Sequence, residues 1–307
     1  MPIIIPEDLP NRWMLESEGI AVIDRGAAKR QDIRPLRIAV VDPGGAEIPL
    51  ARLLGRTPLE VALTILRPGA DPGPEADGVV RLALDRVAAV NPSFDAVVIG
   101  HDPDDVREAH EAPWWDEYRD FLDWADAHVR AHLLLGWSAR AALHHFYGIP
   151  RRPAPPTPPI LVAHRPVRAG SFLLRGGDER FAVPVRRRGA IARADILDVH
   201  GLELLAESHR GEPYIVRSFD RRKVFALHHP EWDGAAVAST SDDGEPLGDW
   251  HAHAALLFAN WINYYVYQPL SRTVQDVSAR APAAGAGVNA NGLRSAAKEP
   301  GHAHHPA

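Results

Sequence analysis

The chain has 307 residues, 46% of them hydrophobic and 24% charged, which is enough apolar material for a sizeable buried core and excludes disorder over most of its length. Its net charge of -6 comes from interleaved acids and bases with no long basic stripe, so a nucleic-acid partner is not expected. There is no cysteine, which rules out disulfides, thiolate metal sites and every mechanism that begins with a thiol.

No basic leader opens the chain, and no stretch approaches the roughly 20 apolar residues of a membrane span, so a cytoplasmic protein with no membrane partner is expected. Short runs rich in Val, Ile and Leu recur with amphipathic stretches between them, the pattern of parallel strands buried by crossover helices. In chain order the strands are expected at residues 36–41, 59–66, 96–99, 132–135, 202–207, 213–216 and 223–227. Residues 114–130 alternate aromatics and acids at helical spacing, with Trp115, Phe121, Leu122 and Val129 on the apolar side. A second helix runs over residues 137–147 and is stopped by Gly148-Ile149-Pro150. Residues 69–78 and 239–248 read as polar loops. Residues 151–159, with five prolines, form an extended bridge inside a single α/β domain spanning 1–277, and residues 278–307 read as a disordered tail. The tail's His302, His304 and His305 read as solvated.

A strand ending at Leu135, a tight turn at Gly136-Trp137 and a helix starting at once describe a nucleophile elbow. Such a turn presents a side chain above the sheet's carboxyl edge, beside helix N-terminal N–H groups that stabilise an oxyanion. Here the residue at the turn is a glycine. The words around it, Leu134-Leu135-Gly136-Trp137-Ser138-Ala139-Arg140-Ala141-Ala142-Leu143 and Phe146-Tyr147-Gly148-Ile149-Pro150, resemble the elbow of the homoserine O-succinyl/acetyltransferases of methionine synthesis. So do Ile33-Arg34-Pro35-Leu36, Leu173-Leu174-Arg175-Gly176, Leu202-Glu203-Leu204-Leu205-Ala206-Glu207 and His229-Pro230-Glu231-Trp232-Asp233. The run from Leu256 to Gln268 completes the match, which covers about residues 1–270.

That resemblance implies a class I glutamine-amidotransferase-like fold, whose flavodoxin-like doubly wound, mostly parallel sheet agrees with the periodicity. It also implies acetyl-CoA or succinyl-CoA as co-substrate with no bound cofactor, an amino-acid-like acceptor and a homodimer. In the family the residue before the Trp is the nucleophilic Cys; here it is Gly136, with Trp137 and Gly100 in the elbow and oxyanion region. His229 and Glu231 fall on the family's catalytic His and Glu, where the imidazole takes the thiol's proton and the carboxylate orients the ring. Arg187 matches a family arginine, and His101 and His228 stand beside the expected pocket as substrate-binding candidates. No paired spacing supports a metal site.

Other departures lie around the site. The family's Met-Pro-Lys-Lys type loop is replaced by Asp42-Pro43-Gly44-Gly45-Ala46, which removes a lysine. Between Asp233 and Trp250 the chain is shorter than the family and lacks an Arg-bearing helix. Ser138 lies two residues past the elbow, turned about 200° away on a helix, and His144 and His145 line the same helix's flank. Two readings stay open. One is a divergent acyltransferase in which His229 deprotonates a bound hydroxyl or amine for direct attack on an acyl thioester. The other is a catalytically inactive homologue that binds a metabolite or protein partner. Restoring a thiol with Gly136→Cys is expected to yield an acyl-enzyme.

Overall fold

The computed structural model describes residues 2–6, 9–30, 33–41, 47–67, 81–100, 114–152, 158–168, 170–186, 189–232, 238–241 and 249–267. Its strands are β1 (Ile3–Ile4), β2 (Val22–Ile23), β3 (Leu36–Val41), β4 (Val61–Arg67), β5 (Arg81–Ala83), β6 (Ala96–Gly100) and β7 (Ala131–Leu135). After these come β8 (Ile160–Pro166), β9 (Phe181–Val185), β10 (Leu202–Ser208), β11 (Pro213–Ser218), β12 (Lys223–Ala226) and β13 (Ala238–Ser241). The helices are α1 (Trp13–Ser17), α2 (Arg25–Lys29), α3 (Glu47–Gly55), α4 (Leu84–Val90), α5 (Trp115–His128), α6 (Gly136–Tyr147), α7 (Arg193–Leu197) and α8 (His251–Trp261).

One sheet runs in the order β13-β8-β10-β11-β12-β7-β6-β3-β4-β1-β2, with β5 beside β4 and β9 beside β8. Among the described residues eight of the twelve pairings are parallel, so the expected mostly parallel α/β class is what the chain adopts. The antiparallel pairings are confined to one arm, where β8, β9, β10, β11 and β12 form a meander. The seven expected strands are all present, β3 with the expected bounds and the other six with ends shifted by one or two residues. Six more were not expected, among them β13, whose residues 239–241 belong to the segment read as a loop.

Alternation along the central strands explains the double winding. Ile38 and Val40 of β3, with Leu133 and Leu135 of β7, face a core completed by Leu50 and Leu54 of α3 and Phe258 and Trp261 of α8. Their neighbours Ala39, Val41 and Leu134 face the other core, against Phe121 of α5 and Ala139 and Leu143 of α6. A 14-residue helix as acidic as α5 is marginal alone. Tyr118, Phe121 and Leu122, each contributing roughly 1.5–3 kcal/mol by burial, hold it on the sheet. Trp115 of the expected apolar side is only half-buried, and Tyr118 and Trp124 take more of that role.

Helix α6 ends as its sequence predicts. Gly148 adopts the left-handed conformation (φ +67°), its N–H reaches the His144 carbonyl at 2.9 Å, and Ile149 tucks under the last turn. Asn260 of α8 donates to the carbonyls of Leu173 and Arg175 at 3.1 and 2.9 Å, clamping the chain that precedes β9 to the carboxyl-terminal helix. Within the proline-rich bridge, residues 153–157 lie outside the described residues, as does the expected tail. No helix among the described residues is long and apolar enough to cross a membrane.

Candidate active site

The parallel register of β7 and β12 sets the site. Ala226 lies opposite Leu135, so the residues that follow, Leu227 and Gly136, leave the sheet at the same level. On the other side of β7, Gly100 pairs with Leu135, which puts three strand ends in one row at the carboxyl edge. Gly136 then turns with φ +54°, a region open to glycine at no cost, and α6 begins at that residue. No side chain caps the start of α6.

Across this turn stands His229. Its Nδ1 is 2.7 Å from Glu231 Oε1, and both side chains are almost fully buried, at 4% and 2% exposure. The ring lies flat on Trp232, with centroids 4.6 Å apart and planes 7° from parallel. A carboxylate on Nδ1 fixes the tautomer: the Nδ1–H donates to Glu231, and the lone pair of the neutral ring is on Nε2. That edge points at the elbow. A Cβ built on Gly136 would overlap Nε2 and Cε1 of His229 and lie 3.0 Å from Cδ2. The imidazole thus fills the space a side chain at position 136 would use.

In Gly136→Cys the ring of His229 therefore has to shift before the new side chain fits.

Two further groups fix the arrangement and a third, Tyr214, lies within reach of the Glu231 charge; none was singled out from the sequence. Arg140, one turn along α6 and 5% exposed, donates from a guanidinium nitrogen to the Leu227 carbonyl at 2.8 Å. It ties the elbow helix to the residue two before His229. Trp250 donates from its indole N–H to the Trp232 carbonyl at 3.2 Å, anchoring the turn under the imidazole. Tyr214, fully buried, has its hydroxyl pKa raised well above normal by burial and secondarily by the Glu231 charge. A charged residue at i+4 from the turn, inside an otherwise apolar helix face, was the available signal for Arg140.

The other expected residues sort clearly. The ring of Trp137 is buried against Trp114, Trp115 and Tyr118, with centroids 5.3, 6.4 and 5.8 Å away, and it anchors the start of α6. His228, half-buried, turns to an aromatic cluster on the Tyr214 side, 5.6 Å from Tyr214 at 12° and 5.4 Å from His164. Two histidines of that cluster are held neutral by burial. The His164 pKa is lowered to about 3, and that of His253, stacked on Phe181 at 3.8 Å, to about 4. Ser138 is buried toward Tyr118, away from the elbow's direction. His144 is exposed with Nδ1 3.2 Å from the Ile149 carbonyl, and His145 contacts Asp123 at 2.7 Å. Arg187 and His101 lie outside the described residues, as does the loop 42–46. Among the described residues no group of three or more His, Asp or Glu is arranged to hold a metal ion.

The family model described as homoserine O-succinyltransferase matches residues 2–242. This chain belongs to that family. It is 35% identical over 298 residues to a homoserine O-acetyltransferase of Geobacillus kaustophilus, with 87% of this chain and 98% of that protein covered. A homoserine O-succinyltransferase of Shewanella piezotolerans is 32% identical over 309 residues, covering 92% of this chain and 98% of the relative. Among solved structures, a putative GMP synthase protein from Thermoplasma acidophilum aligns with TM-score 0.51 at 17% identity, covering 75% of this chain and 94% of that one. A glutamine amido transferase from Methylobacillus flagellatus aligns with TM-score 0.48 at 13% identity, covering 76% and 95%. The first of these shows a shared fold, in keeping with the mostly parallel α/β sheet.

Proposed function

We propose that this homoserine O-succinyltransferase family member transfers an acyl group from an acyl-CoA thioester to the hydroxyl or amine of an amino-acid-like acceptor, using His229 and Glu231 and no cysteine. One observation carries the reading: the buried His229–Glu231 pair, 2.7 Å apart, faces the start of a helix at the sheet's carboxyl edge. An oriented imidazole there suits proton transfer, and helix N-terminal N–H groups suit the developing oxyanion. In the direct course, His229 takes the acceptor's proton as the hydroxyl or amine attacks the thioester carbon, within one ternary complex. Homoserine is the acceptor named by the relatives, and acetyl and succinyl are the groups they name, so these come first in any assay.

The test is incubation of the purified chain with acetyl-CoA or succinyl-CoA and a panel of amino acids and amino alcohols, following free CoA and product mass. Acceptor-dependent CoA release that disappears in His229→Ala supports acyl transfer; release unaffected by that change removes it. A second reading, a non-catalytic homologue that binds a metabolite or partner, is favoured by the imidazole filling the elbow. It predicts saturable binding of an acceptor or acyl-CoA with no release.

A further inference from the structure

We infer that Glu47 and Arg67 form a clamp for a zwitterionic α-amino acid, on the wall of the strand-end crevice that faces the elbow. The inference goes beyond acyl transfer, because a homologue that only bound its metabolite would use the same pair.

The winding of the sheet places the crevice. Chain order runs outward from β3 in both directions, to β4 on one side and to β6 and then β7 on the other. The helix after β3, α3, packs on one face with Leu50 and Leu54, whereas α5, after β6, packs on the other with Phe121 and Leu122. Where adjacent strands send their chains to opposite faces, their carboxyl ends leave a gap, and doubly wound sheets bind ligands there. Gly100 ends β6 at that gap. A Cβ on it would lie 3.3 Å from Leu50 Cδ1 and 3.4 Å from Leu135 Cδ1, so α3 reaches across to the strand that carries the elbow. Glu47, about one turn before Leu50, opens α3 at the carboxyl edge.

Arg67, the last residue of β4, meets Glu47 from the side. Val61, Leu63 and Ile65 face the core beneath α3, so Arg67, at the next alternate position, projects to the same face. In register it is level with Gly100 and Leu135, because Leu66 pairs with Val41, Val41 with Ile99, and Ile99 with Leu134. Three strand spacings, about 14 Å, separate its backbone from the elbow strand, and the ion pair draws the guanidinium back toward the gap. The pair joins one nitrogen, Nη2, to one oxygen, Oε1. The Nε–H of Arg67 is buried and has no acceptor among the described residues.

Docking of α3 does not need this pair. Leu50, Ala51, Leu53 and Leu54 are all buried, and an ion pair withdrawn from water returns little stability once desolvation is counted. What the pair offers is a charge pattern. A guanidinium takes a carboxylate through parallel N–H donors, and a carboxylate takes an ammonium. Arg67 therefore suits the α-carboxylate and Glu47 the α-ammonium of one amino acid. Pair and zwitterion are each neutral, so the four charges alternate and none is left uncompensated. A ligand held there by its α-carbon groups extends its side chain along the strand ends toward Gly136.

The experiment titrates the full chain calorimetrically with three probes: homoserine, homoserinol, which lacks the carboxylate, and γ-hydroxybutyrate, which lacks the ammonium. Homoserine should bind about 10- to 100-fold more tightly than either analogue. Arg67→Lys keeps a cation beside Glu47 and so keeps the fold, but loses the planar fork; homoserine affinity should fall about tenfold or more while that of homoserinol stays within about twofold. Glu47→Gln should weaken homoserine and homoserinol and spare γ-hydroxybutyrate. Circular dichroism confirms that both variants are folded. A purely structural pair would weaken all three probes alike, and that result overturns the clamp. So does homoserine affinity unchanged in both variants, or no homoserine binding to the parent chain. Release of CoA separates this from acyl transfer. Probe-specific losses in a chain that releases no CoA keep the clamp and remove transfer, whereas release with an unchanged homoserine KM in both variants keeps transfer and removes the clamp.

Discussion

Adding a single methyl group at the elbow tests the geometry without any assay of activity. In Gly136→Ala the new Cβ meets two separate penalties. The backbone sits at φ +54°, where a non-glycine residue costs about 1–2 kcal/mol. The carbon also overlaps Nε2 and Cε1 of a ring pinned by Glu231 and Trp232, an overpacking cost of about 1–3 kcal/mol. Together these give about 2–5 kcal/mol, or a fall in Tm on the order of 4–10 °C for a chain this long. A double-mutant cycle separates the two. In a His229→Ala background the clash is absent and only the backbone cost remains, so the two substitutions should couple by about 1–3 kcal/mol in urea denaturation. Coupling below about 0.5 kcal/mol would show that the imidazole does not occupy the elbow.

Other perturbations follow from the same contacts. Arg140→Met keeps the length of the side chain but leaves the buried Leu227 carbonyl without its donor, so denaturation should show a loss of about 1–3 kcal/mol, and His229-dependent activity should fall further than stability alone explains. Trp137→Ala empties an aromatic pocket and should cost about 3–5 kcal/mol; a cost under about 1 kcal/mol would refute its anchoring role. His132, His164 and His253 are held neutral by burial, with pKa values lowered to about 4, 3 and 4. The unfolded chain binds these protons below its ordinary histidine pKa of about 6.5, whereas the folded chain does not. Stability is therefore intact above about pH 6.5 and lost as pH falls toward about 4, by up to about 1.4 kcal/mol per pH unit for each group. Urea midpoints at pH 7, 6 and 5 should show the decline, and His164→Gln should flatten it.

What could be read from the sequence was what local order encodes. Strand β3 and the end of α6 are continuous patterns with clear stops, and both formed where the residues said they would. Strand β9 was missed because Pro184 sits inside it, and proline argues against a central strand. It is tolerated because β9 pairs with β8 alone, at an edge. Strands β1 and β2 are two residues each, too short to carry a period. The His229–Glu231 pair was legible because two residues of spacing and a family resemblance converge on it. The Arg140 contact was not, because it joins groups 87 positions apart, and no local pattern reports that distance. The position of the imidazole was beyond reach for the same reason: a missing side chain at residue 136 is visible in the letters, but what moves into the gap is decided in three dimensions.

Two neighbouring strands that end level behave like paired rails, and whatever is mounted just past each end meets its counterpart regardless of the track in between. The chain from Gly148 to Arg222 could lengthen or shorten at its surface connections and leave Gly136 and His229 facing each other. One residue inserted within β12 would do the reverse, turning each following side chain to the opposite face of the sheet and carrying the imidazole away from the elbow. For this protein, tolerance to length change should be broad along the connecting segment and close to nil across the four residues of that strand.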